Sequence, residues 1–92
     1  MTTYTHINFG VTKIERESEK AALVDLTIDT AVGLKGRKVW FPKKCFALNA
    51  AGEFVAPMWF VAKKEAELKA EYPAGAFYGL CGDHCLADGS RD

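Results

Sequence analysis

Hydrophobic and polar side chains alternate cleanly over residues 22–29. Ala22, Val24, Leu26 and Ile28 take the even positions, and Leu23, Asp25, Thr27 and Asp29 the odd ones. A period of two marks a strand with one face on a core and the other toward water, so the even positions are predicted to point inward and Asp25 and Asp29 outward. Upstream, Ile7, Phe9 and Val11 alternate with polar residues before the phase shifts to Ile14. That pattern predicts one strand over residues 5–17, interrupted by a bulge near Thr12 and joined to the next strand through Ser18 and Glu19.

Downstream, residues 34–37 (Leu-Lys-Gly-Arg) read as a flexible turn. Residues 37–41 form a third strand, ended by Pro42 because proline has no N–H for the ladder. Lys38 and Trp40 share one face of this strand, Val39 and Phe41 the other, so one aromatic is predicted to be poorly buried. Ala50-Ala51-Gly52 reads as a turn into a short strand over residues 53–56.

Pro57 suits the first position of a helix running from Met58 to about Tyr72. Met58, Val61, Ala62, Glu65, Leu68 and Tyr72 recur at spacings of three and four, with Glu65 weakening the stripe. Lys63 with Glu67, and Glu65 with Lys69, are four apart and predict ion pairs on the outer flank. Pro73 stops the helix. Residues 76–80 suggest an edge strand, residues 81–92 a glycine-rich C-terminal tail, and residues 87–92 its mobile end. The expected fold is α+β: a small twisted antiparallel sheet of about four strands, one α-helix packed on it, and the tail.

A chain of 92 residues supports one domain, residues 1–92, with its core over about 4–80. Its 49% hydrophobic and 26% charged residues are ordinary for a globular protein. Apolar runs fall far short of the roughly 20 residues of a membrane span. The first residues resemble no secretory signal, so the protein is expected in the cytoplasm. Cys45, Cys81 and Cys85 are then expected as thiols, Cys45 as a small buried hydrophobe.

Charge changes the picture more than composition does. Net charge is zero, yet residues 30–52 contain no acidic side chain and carry Lys35, Arg37, Lys38, Lys43 and Lys44, with Trp40 and Phe41 between them. Both flanking segments are net acidic, so the chain is bipolar. Two readings are open: the cations form a ridge that meets polyanions, or they keep a sheet edge from pairing with other chains. As a ridge, the lysines and Arg37 would neutralise phosphates, Gly36 would admit close backbone approach, and Trp40 would stack on an unpaired base. Lys63 and Lys64 would extend the positive surface or serve as the helix's solvated flank. For Phe41 and Phe60 core packing is the expected role, whereas the tryptophans are open to either.

Cys81-Gly82-Asp83-His84-Cys85 gathers thiols and an imidazole, the ligands zinc prefers. No second knuckle is recognisable to complete a tetrahedral site, so Cys81, His84 and Cys85 are weak metal candidates and no metal or other cofactor is expected. A Cys–His nucleophile would need partners from separate elements around a cleft. Phosphate loops, paired-carboxylate motifs and nucleophile elbows are missing from the sequence, so the chain reads as a binder and not an enzyme.

The stretches Val39-Trp40-Phe41-Pro42-Lys43-Lys44 and Val55-Ala56-Pro57-Met58-Trp59-Phe60-Val61-Ala62-Lys63-Lys64 resemble the small proteins of phages and prophages. Taken whole, the chain resembles a phage anti-CRISPR protein directed at the type I-F system. The resemblance implies a protein of the infected bacterium's cytoplasm that binds the multisubunit RNA-guided surveillance complex, Cas proteins plus guide RNA, and blocks target DNA from pairing with the guide. It assigns no role to any residue. The alternative is a phage single-stranded nucleic-acid-binding protein that needs no such partner.

Overall fold

In the computed structural model, which describes residues 3–90, the even positions of β3 (Ala21–Thr30) do face inward: Ala22, Val24, Leu26, Ile28 and Thr30 are all buried. Around this strand assembles an α+β fold of two antiparallel sheets and one helix, not the single sheet expected. In one sheet, β3 pairs along its whole length with β4 (Gly33–Pro42); its other edge is shared by β2 (Lys13–Glu17) at one end and β7 (Phe77–Leu80) at the other. The second sheet runs β5 (Ala47–Leu48), β6 (Phe54–Pro57), β1 (His6–Asn8), β8 (Asp83–Cys85).

The phase shift after Val11 therefore means something other than a bulge at Thr12. There the chain leaves one sheet for the other, turning at Gly10, whose φ of 76° suits glycine and whose N–H donates to Asn8 Oδ1 at 2.7 Å. The irregularity in strand pairing lies later, between Ile14 and Arg16 where β2 pairs with β3. The turn expected over residues 34–37 is also displaced. Residues 33–42 are continuous strand, and the chain reverses at Ala31-Val32, where Thr30 Oγ1 donates to the Gly33 carbonyl and accepts the Val32 N–H.

Pro57 precedes the helix as its cap, and α1 (Met58–Lys69) ends short of Tyr72. Its buried residues are Phe60, Val61 and Leu68, while Ala62 is exposed. The ion pair it forms is Lys64 with Glu67, at 3.7 Å and three apart. Glu65, the weak point of the apolar stripe, instead accepts the Leu80 N–H at 2.8 Å and ties α1 to β7.

The core lies where both sheets meet α1. Phe41 is fully buried at its centre, with ring centroids of Phe54 and Phe60 at 5.1 and 5.2 Å and those of Phe9 and Phe46 at 6.5 Å. Residues 83–85, expected as part of a loosely placed tail, form β8 and pair with β1 in register His6↔Cys85, Ile7↔His84, Asn8↔Asp83. Cys85 is 0% exposed, and Asn8 Nδ2 donates to the Gly89 carbonyl, so the segment beyond residue 80 closes this sheet. The end of the expected tail, residues 91 and 92, lies outside the described residues.

Candidate nucleic-acid and partner interface

A strand's alternation decides what the cationic stretch can do. Within β4, residues 33, 35, 37, 39 and 41 share the core face and residues 34, 36, 38, 40 and 42 the solvent face. Pairing with β3 confirms the division: Phe41 stands opposite Ala22 and Val39 opposite Val24, whereas Trp40 stands opposite Leu23 and Lys38 opposite Asp25. The ridge of the linear sequence is thus split between two faces.

On the core face, Arg37 lies opposite Leu26, and its Nη2 donates to both Glu71 carboxylate oxygens at 2.7 and 2.9 Å. Its Nε is buried without a partner. Arg37 is thereby held against the chain that follows α1. Lys35, opposite Ile28, extends past the core and is exposed.

The solvent face carries Leu34, Gly36, Lys38, Trp40 and Pro42 in a row. Trp40 is 45% exposed and so is not a core residue; Phe41 and Phe60 are core, and Trp59, at 66%, projects from the first turn of α1. At Gly36 an added Cβ would lie 3.3 Å from Asp25 Oδ1, so bare backbone separates Leu34 from Lys38. Beyond Pro42 the row opens into a groove of about 640 Å³ lined by Glu19, Lys20, Ala21, Pro42, Lys43 and Lys44. The Lys43 N–H donates to the Lys20 carbonyl at 2.8 Å, which fixes the two lysines beside each other. Lys43 also approaches Glu17 at 3.9 Å.

Lys20 was not among the residues the linear charge pattern singled out, because acidic neighbours surround it in sequence. Strand pairing likewise brings Lys13 and Arg16 of β2 onto the solvent face, opposite Asp25 and Leu23. Across three strands the rows read Arg16–Leu23–Trp40 and Lys13–Asp25–Lys38. Glu15, 3.5 Å from Lys13, and Asp25 make this face charge-mixed, while the lysines concentrate at the groove. Lys63 is exposed on α1, separate from this row. Lys64 is half-buried, its ammonium 5.6 Å from the Phe60 ring centroid, and belongs to the helix's packing.

Cys81, His84 and Cys85 are drawn apart. His84 and Cys85 are successive residues of β8 and so point to opposite faces, His84 exposed and Cys85 buried. Burial, and next the charge of Asp29, push the Cys81 thiol up, away from thiolate chemistry. Among the described residues no three His, Cys, Asp or Glu side chains converge to hold a metal ion, and no helix is long and apolar enough to cross a membrane. Comparison with known families, curated proteins and solved structures finds no match for this chain.

Proposed function

We propose that the chain is a stoichiometric, cofactor-independent binding protein whose partner contains single-stranded nucleic acid. The observation that carries this reading is Trp40: a part-exposed indole on an uncovered sheet face, between Lys38 and a groove lined by Lys20, Lys43 and Lys44 together with Glu19. An indole stacked on an unpaired base contributes about 1–3 kcal/mol, and lysines on either side neutralise the phosphates that flank the base.

The resemblance to anti-CRISPR proteins supplies the partner. On this reading the protein occupies the guide or DNA path of the type I-F surveillance complex, in the cytoplasm of the infected bacterium, and prevents hybridisation. The test is target-DNA binding by the purified complex with and without saturating protein. Loss of hybridisation, restored by Trp40→Ala with Lys38→Glu, is expected; undisturbed hybridisation overturns the reading.

The same indole-and-lysine arrangement favours a second reading, direct binding of single-stranded RNA or DNA without a CRISPR partner. The two readings separate on free oligonucleotide. Retention of oligothymidylate or oligouridylate by the protein alone, at affinity matching its action, selects the second.

A further inference from the structure

We infer that the free edge of β4 is a strand-addition site for an acidic, extended polypeptide segment. Every ladder bond of β4 goes to β3, and among the described residues no other backbone group is hydrogen-bonded to residues 34–41. Every second residue of such an edge presents its N–H and C=O outward.

Sheet edges are ordinarily blunted by shortness, a bulge, a proline within the strand or a covering element. β4 has ten residues, an unbroken register with β3 and proline only at its last position. Of the usual devices only the cations remain, and their effect depends on the incoming strand. A second copy of this chain would set Lys35, Arg37 and Lys38 against themselves, since β4 has no acidic residue in any register. An acidic strand meets attraction instead, and cross-strand pairs of opposite charge are favourable. Positive charge here excludes self-pairing and selects a partner.

The side chains specify that partner further. Lys35 and Lys38 lie on opposite faces three residues apart, so the matching carboxylates are also three apart, whichever direction the added strand runs. Trp40 and Leu34, 45% and 68% exposed, favour apolar or β-branched residues beside them. Backbone hydrogen bonding supplies affinity in this mode and the flanking side chains supply specificity. The edge shares Lys38, Trp40 and Leu34 with the stacking face but engages its partner through the β4 backbone, so the inference does not rest on nucleic-acid binding.

The probe is a ten-residue, proline-free peptide of valine and threonine with two glutamates three apart, titrated into the whole protein and followed by amide hydrogen exchange. Slowed exchange at alternate amides of residues 34–41 is expected. Replacing the glutamates with lysines, or N-methylating alternate peptide amides, is expected to weaken binding by about tenfold or more. A Lys35→Glu, Lys38→Glu protein should prefer the lysine peptide. The inference is overturned if the glutamate peptide leaves β4 amides unprotected, if N-methylation costs nothing, or if ultracentrifugation shows a dimer that gives the same protection. Oligothymidylate binding, measured on the same samples, reports on the stacking face separately.

Discussion

Glu65 shows how a single residue can look like a flaw in the sequence and serve as a fastener in the fold. Its carboxylate accepts the Leu80 N–H, a part-buried donor that no sheet partner satisfies on that side. Glu65→Leu leaves that donor unpaired and is expected to lower stability by about 1–2 kcal/mol, whereas Glu65→Gln keeps an acceptor and should cost less than about 0.5. Urea unfolding of both variants measures the difference; equal losses would mean the bond does not matter. A second carboxylate governs acid response. Side-chain hydrogen bonds, first from Asn49 and next from Asn8, hold Glu53 below the usual carboxylate range. A depressed folded-state pKa stabilises above the unfolded value, and that stabilisation disappears as pH falls through the lowered one. Urea midpoints of Glu53→Gln should therefore fall less steeply than those of the parent as pH drops below about 4.3. Identical acid limbs would assign the response elsewhere, Asp88 being the next candidate because the Ser90 hydroxyl and backbone N–H also hold it low.

Among the elements, β8 departs furthest from what the sequence suggests. Glycines at 79, 82 and 89 and the lack of any period read as a loose end, because three residues are too few to show alternation. Pairing with β1 gives them order, and Gly82 and Gly89 are where the chain passes closest to its neighbours: an added Cβ would lie 2.5 Å from Ile7 Cγ2 and 2.6 Å from Asn49 Nδ2, respectively. Ending the chain after Leu80 strips β1 of its partner on one edge, leaving only β6, and uncovers Val55, which is 2% exposed. Such a truncation is expected to lose cooperative thermal unfolding; a sharp, unshifted transition would show that β8 is dispensable. The helix was more legible. Pro57 marked its start because proline's missing N–H costs nothing there, but its end came before Tyr72, whose ring stacks on Phe77 with centroids 5.5 Å apart.

The whole molecule is thin, 19 Å in its least dimension, so much of its sheet surface is in contact with solvent. On that surface the five cations of residues 30–52 are no longer one feature. Arg37 serves the fold, while Lys38, Lys43 and Lys44 join Lys20 along a row that no linear reading contained. Trp40→Ala with Lys38→Glu should cost about 1–2 kcal/mol, since Trp40 is more than half covered and Lys38→Glu sets a carboxylate opposite Asp25, but should keep a cooperative thermal transition. If these four lysines hold phosphates, binding of single-stranded oligonucleotide should fall with a log–log salt slope of about −2.8, and a slope near zero would remove the electrostatic role. The sequence by itself determined the inward face of β3, the core placement of Phe41 and Phe60, the beginning of α1 and the clustering of charge along the chain, because periodicity, proline stereochemistry and composition act over a few residues. Only the tertiary structure decided that residues 5–17 serve two sheets, that residues 81–90 close one of them, and which cations stay clear of carboxylates. Those outcomes depend on pairings between segments far apart in the chain, and no local pattern encodes which edge meets which.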